Sequence, residues 1–280
     1  MTHPELKTLE GQPYFIMDGA GNDFVITDLR EGGRMTAEAA QYLGDRDGPF
    51  GCDQIIVLEE RRERPFMSIW NADGTAAGAC GNAARCVAKI LFGEEGGEAL
   101  AFGSPSGDLR ASLQDSLVEV DMGSPRVDWD EIPLAEPCDD TSSLPFDPAL
   151  RARFGLPSPA GASMGNPHAT FFVDDAESAL LESFGPEIES HPFFPDRVNV
   201  SAASVKDGVI RLRTYERGVG ITAACGTAAC AALVNAHRLG LTGREADVVA
   251  DGGRLRIRWD EETGHVLMAG PTCLHREGRF

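Results

Sequence analysis

The chain predicts a mixed α/β (α+β) fold built as two similar halves, and three observations carry that prediction. "ACGNAARCVA", starting at Ala79, recurs as "ACGTAACAAL" from Ala224, so Cys80 and Cys225 stand 145 positions apart in 280 residues. Flanking landmarks recur in the same order. Trp70 matches Tyr215 and Gln54 matches Asn199 at 145, Gly21-Asn22 matches Gly165-Asn166 at 144, and "SGDLRASL" and "DMGSP" match "GGRLRIRW" and "LMAGP" at 146. A register that drifts by two positions over the whole chain marks an internal repeat. Each copy is also strand-rich with one strong helix, as short runs bounded by Gly, Asp and Pro alternate with an apolar-faced segment.

In chain order, the first half reads as strands in "YFIMDGAGNDFVITD" (14–28), "DQIIVLEE" (53–60), "PFMSIWNADG" (65–74) and "GDLRASLQDSLVEVDMG" (107–123). Its helices are "TAEAAQYLGD" (36–45) and the segment after Cys80. The stretch 129–163, rich in Pro, Ser and Asp, reads as containing the connection between halves. The second half gives strands at "ATFFVDD", "VIRLRTYERG", "ADVVADGGRLRIRW" and "HVLMAG", and helices at "AESALLESFG" (176–185) and after Cys225. The expected division is residues 1–126, with 270–280 returning to them, and residues 127–269.

Composition narrows the function. With 42% hydrophobic and 25% charged residues the chain can bury a core, and no run approaches the roughly 18 apolar residues of a membrane span. The N-terminus carries no cationic segment followed by an apolar run, so a cytoplasmic protein without membrane attachment is expected. Seven cysteines, an odd number without a secretory signal, point to reduced thiols rather than a disulfide framework. A net charge of −19 disfavours nucleic acid, whose phosphates need Lys or Arg partners. Lysines are few (Lys7, Lys89, Lys206) and none sits in a stretch that looks like a site, which leaves pyridoxal chemistry short of a Schiff-base candidate.

The two cysteines open their helices. Ala83, Ala84, Val87, Ala88 and Leu91 follow Cys80 at helical spacing, and Ala228, Ala229, Ala232, Leu233 and Ala236 follow Cys225 at the same offsets. A helix N-terminus offers unpaired N–H groups and a positive dipole end, which favours a thiolate and can cradle a carboxylate. Two such sites suit stereoinversion: one thiolate removes a proton α to a carboxylate, and a thiol on the opposite face delivers another. Cys52, Cys86, Cys138, Cys230 and Cys273 are expected to be packing residues. Zinc from Cys80, Cys86, Cys225 and Cys230 is disfavoured by their spacing, and "GVGITA" and "GAGNDF" fail as dinucleotide fingerprints. No metal or organic cofactor is expected.

Taken in order, "GAGNDF", "FGCDQ", "NADGT", "ACGNAARC", "SMGNPHA", "FPDRVN", "YERGVG" and "ACGTAAC" resemble the diaminopimelate epimerase family over nearly the whole chain. The resemblance implies two similar α/β domains, each a curved, mostly antiparallel sheet around a central helix, with the active site in the cleft between them. It further implies interconversion of L,L- and meso-diaminopimelate without metal or organic cofactor, in the pathway to lysine and peptidoglycan. By motif, Cys80 and Cys225 become the acid/base pair. Substrate contacts fall to Asn22, Gln54, Asn71, Gly81, Asn82, Asn166, Asn199, Glu216, Arg217, Gly226 and Thr227, and His168 with Glu216 would tune the cysteines. The chain departs from the family's usual pattern at Thr75, Ala76, Ala83 and Ile221. The expected partners are a small amino acid substrate and a second copy of the chain in a homodimer, on which the sequence itself is silent.

Overall fold

The computed structural model describes residues 3–78, 80–114 and 117–280. Ala79 of the repeated motif, and Asp115 and Ser116 inside one expected strand run, lie outside the described residues. The chain divides into two compact units, Met1–Val120 with Gly270–Phe280, and Asp121–Ala269.

The first unit runs β1 (Pro13–Gly19), β2 (Asn22–Asp28), α1 (Ala37–Gly44), β3 (Gln54–Glu60), β4 (Pro65–Asn71), β5 (Ala76–Ala77), α2 (Gly81–Glu95), β6 (Ala99–Ser104), β7 (Gly107–Gln114) and β8 (Leu117–Asp121). The second contains α3 (Pro148–Phe154), β9 (Ala160–Ser163), β10 (Pro167–Phe172), α4 (Leu181–Glu189), β11 (Asn199–Lys206), β12 (Val209–Glu216), β13 (Gly220–Thr222), α5 (Gly226–Arg238), β14 (Glu245–Ala250), β15 (Gly253–Trp259) and β16 (Val266–Gly270). The last strand, β17 (Cys273–Arg279), returns to the first unit and pairs antiparallel with β1.

The repeat is repeated pairing by pairing. β1–β2 and β9–β10 are antiparallel; β2–β3 and β10–β11 are parallel. Antiparallel β3–β4 and β4–β5 correspond to β11–β12 and β12–β13. Parallel β4–β6 corresponds to β12–β14, and the β6–β7–β8 meander to β14–β15–β16. The sequence match of Gln54 with Asn199 is thereby a match of place: Gln54 lies beside Phe24, and Asn199 beside His168, across the parallel pair of each unit.

Within each unit one helix is wrapped by strands, α2 by β1, β2, β6 and β7 and α5 by β9 to β12, β14 and β15. A helix covered on most sides must be apolar nearly all round. Every residue from Ala228 to Ala236 of α5 is buried, and the alanines let the strands approach closely. The face expected after Cys80 is buried as expected, at Ala83, Ala84, Val87, Ala88 and Leu91.

Elsewhere the structure departs from the pattern reading. The stretch 129–163 is no linker: Ile132, Leu134, Leu144, Phe146 and Leu156 join Phe171 and Phe184 in the second unit's core, and α3 starts at an Asp147 cap. Helix α4 begins at Leu181, five residues later than the "AESALLESFG" run, because Ala176 to Leu180 form a turn and the helix continues through Pro186. β6, β9, β11 and β17 escaped the pattern because Ala, Ser and Gly, or exposed polar residues, fill them, where strand signals rest on branched and aromatic side chains. Cys52, Cys86 and Cys230 are buried, but Cys138 is half-buried and Cys273 is exposed on β17. No helix among the described residues is long and apolar enough to cross a membrane.

Candidate active site

Cys80 is the N-cap of α2, in extended backbone at φ −155°, and its Sγ accepts a hydrogen bond from the Ala83 amide at 3.5 Å. Sulfur here does the work of a capping oxygen, satisfying one of the orphan donors of the first turn. Gly81 is the first helical residue and Asn82 the second. The Asn82 amide donates to Asn22 Oδ1 at 2.6 Å, its own Oδ1 accepts from the buried Arg85 at 3.0 Å, and Asn22 Nδ2 donates to Asp53 at 3.1 Å. Arg85, Asn82, Asn22 and Asp53 thus form one hydrogen-bonded chain across the mouth of α2.

The β1–β2 turn supplies Asn22. Ala20 and Gly21 both have positive φ, 54° and 84°, the signature of a two-residue type I′ hairpin that matches strand twist. Beside it, Gly19 lets β1 touch the helix, since a Cβ there would lie 2.9 Å from the Asn82 carbonyl oxygen. On the neighbouring strands Gln54 Nε2 donates to Asn71 Oδ1 at 3.1 Å, and Asn71 Nδ2 donates to Thr75 Oγ1 at 3.0 Å.

The second unit repeats the arrangement with different polar groups. Cys225 is the N-cap of α5, its Sγ 3.5 Å from Thr227 Oγ1, with Gly226 again the first helical residue. Glu216, at the end of β12, accepts from Thr222 Oγ1 at 2.6 Å. Asn199 is held at both ends of its amide, donating to the Pro167 carbonyl and accepting from the Arg217 amide, both at 2.9 Å. The Arg217 guanidinium rests on the Asp196 carbonyl at 2.8 Å. His168 is buried, and its Nε2 donates to Asn166 Oδ1 at 3.0 Å. Its Nδ1 is buried without a hydrogen-bond partner among the described residues.

Electrostatics corrects one expectation. A thiol at a helix N-terminus was expected to be acidified, yet burial pushes Cys225 well above the ordinary thiol value, and the Glu216 carboxylate pushes the same way. Desolvation and a like charge outweigh the helix dipole there, so Cys225 rests as the thiol. Burial also drives His168 down to about 3, with the Arg217 charge acting in the same direction, so the imidazole is neutral. Cys86, beside Cys80 on α2, is pushed by burial up to about 12, in keeping with a packing role.

The structure therefore groups Asn22 with Asn82 near Cys80, Gln54 with Asn71 across one strand pair, and Glu216 and Thr227 around Cys225. Sequence reasoning missed Asp53 and Arg85, which hold Asn22 and Asn82 in place. Arg85 left a trace: it is a cation among the small and apolar residues Ala83 to Ala88 of α2.

A family model described as diaminopimelate epimerase matches residues 14–127 and again 161–274, once per repeat. The chain belongs to the diaminopimelate epimerase family. It is 48% identical to the diaminopimelate epimerase of Acidiphilium cryptum, with 96% of each chain covered. It is 46% identical to that of Phenylobacterium zucineum, covering 96% of this chain and 98% of the relative. Among solved structures, a phenazine biosynthesis protein of the PhzF family from Enterococcus faecalis shares the fold at a TM-score of 0.70, with 16% identity over 96% of this chain and 99% of the other. A probable proline racemase from Agrobacterium radiobacter does so at 0.62, with 17% identity over 96% and 92%. The two family matches together take in most of this chain, each containing one of the two N-capping cysteines.

Proposed function

We propose that this chain epimerises L,L-diaminopimelate to meso-diaminopimelate by cofactor-independent acid/base chemistry at Cys80 and Cys225. The observation that carries the reading is the repeated Cys-Gly-polar N-terminus, Cys80-Gly81-Asn82 and Cys225-Gly226-Thr227, set at equivalent places in two units with equivalent strand pairing.

In the proposed cycle one cysteine, as thiolate, takes the α-proton from the substrate and becomes a thiol. The other, as thiol, gives a proton to the opposite face of the same carbon, and the return reaction exchanges the roles. The protonated rest state of Cys225 suits it to the donor role, in which Cys80 would be its partner base. The amides at the two helix N-termini stabilise the enolate-like charge as it forms, and each such donor contributes roughly 3–4 kcal/mol. Asn22, Gln54, Asn71, Asn82, Asn166, Asn199, Glu216, Arg217 and Thr227 line or support the substrate, and Arg217 can clamp a carboxylate bidentately. The same reading makes Glu216 a group that adds to burial in keeping Cys225 protonated, and it makes His168, with Nδ1 uncommitted, a neutral partner in tuning the thiols.

Incubation with L,L-diaminopimelate in deuterated water, under reducing conditions and without added cofactor, should yield meso product labelled at the α-carbon. Cys80→Ala and Cys225→Ala should each lower turnover by about 10²-fold or more. No exchange in the wild type, or full turnover in either variant, rejects the mechanism, and proline supplied in its place tests the alternative substrate. Cytoplasmic residence and a homodimeric assembly complete the reading, the latter checked by light scattering on the eluting protein.

A further inference from the structure

We propose that Asp18, Cys273 and His275 bind a divalent transition-metal cation of the zinc type, where β17 pairs with β1 in the first unit rather than at the capping Cys80. The site is made by the pairing of the chain's first and last strands. Asp18 of β1 lies directly opposite Cys273 of β17, and the register slips between Ile16, opposite Arg276, and Met17, opposite Leu274. His275 is therefore the extra residue of a β-bulge, and such a residue is aimed differently from its neighbours on a regular ladder.

The bulge brings the ring onto Asp18: His275 Nε2 and Asp18 Oδ2 are 2.7 Å apart, and His275 Nδ1 is 4.0 Å from Cys273 Sγ. One ligand atom from each residue lies within 4.8 Å of the others. Bonds of about 2.3 Å to sulfur and 2.0–2.2 Å to nitrogen or oxygen set tetrahedral edges of roughly 3.3–3.8 Å, so the three donors close around a cation with about 1 Å of side-chain movement. Cys273 and His275 are exposed, and nothing packed has to yield for that movement. Asp18 is the fixed point, since its backbone carbonyl accepts the buried Cys86 thiol at 3.4 Å.

The donor set selects the ion. A thiolate with an imidazole favours zinc-like metals over magnesium or calcium, and the carboxylate completes a three-ligand set that leaves one position to water. On binding, the Cys273 thiol releases its proton and a ring nitrogen of His275 gives its lone pair to the metal, so affinity rises with pH.

Cobalt(II) reports thiolate ligation by an absorption band and substitutes for zinc. Reduced protein should take up one equivalent with that band, and so should Cys80→Ala/Cys225→Ala, whose remaining thiols include Cys273. Cys273→Ser should abolish the band, and His275→Ala and Asp18→Asn should each weaken binding at least about tenfold. Zinc should displace cobalt and protect Cys273, identified by peptide mass, from iodoacetamide. The proposal fails if the wild type shows no band, if Cys273→Ser retains it, if Cys80→Ala/Cys225→Ala loses it, or if zinc gives Cys273 no protection. Failure on those terms leaves an ordinary carboxylate–imidazole pair beside a free thiol.

Discussion

Glu216 and Cys225 set the rest state of the second half-site. The carboxylate sits by a thiol that burial already disfavours as an anion, so together they hold the proton on sulfur. Glu216→Gln removes one of the two causes, and the onset of Cys225 alkylation should move to lower pH, read by iodoacetamide labelling across a pH series; an unmoved profile would leave burial as the sole cause. His168 predicts a pH effect on stability. Its folded value of about 3 lies below the ordinary 6.5, so between those values the unfolded chain binds a proton that the folded one refuses. The stabilising contribution is complete above pH 6.5 and erodes as pH falls toward 3. His168→Gln should flatten the fall of stability between pH 6 and 4 by up to about 1.4 kcal/mol per pH unit, measured by urea unfolding. One sequence could point to both residues as a tuning pair, but not to the direction of either effect, because burial depth is a property of the packed fold.

At the scale of elements, the two capped helices were legible because a 3.6-residue spacing leaves its mark on alanines, and because the mark occurs twice. The hairpin that presents Asn22 was legible only as a Gly-containing turn. Its type and its pressure on α2 come from distances. Gly19→Ala tests that pressure: the methyl would meet the Asn82 carbonyl at 2.9 Å and displace the first turn of α2. A loss of about 1–3 kcal/mol in stability together with reduced turnover is expected, measured by denaturant titration and by the exchange assay. Full activity in Gly19→Ala would show that the first turn tolerates the shift. Asp53, which steadies Asn22, was illegible because its partner is far away in sequence, and Arg85, three residues from Asn82, because nothing in a helical spacing says that a cation is buried.

At the scale of the whole molecule, the repeat settled the architecture, since equal offsets between matched residues became equal strand pairings. The 129–163 stretch was misread because Pro, Ser and Asp mark irregular backbone, whether that backbone lies outside or, as here, carries Phe146 and Leu144 into a core. The closing strand was anticipated only as a return of residues 270–280, without its partner. Removing Cys273–Phe280 should uncover the β1 edge and lower the first unit's unfolding midpoint while sparing the second's, a difference that hydrogen exchange resolved by peptide can follow.

That strand also sets a timetable. Domains made on a ribosome ordinarily fold in the order in which they emerge. Here the first unit lacks β17 until residues 273–279 are added, whereas all of Asp121–Ala269 has been synthesised before then. The second-born unit should therefore need no residue beyond its own, and a released chain ending at residue 270 should show a protease-resistant second unit beside a still-cleavable first. The arrival of β17 is then the event that completes the first unit.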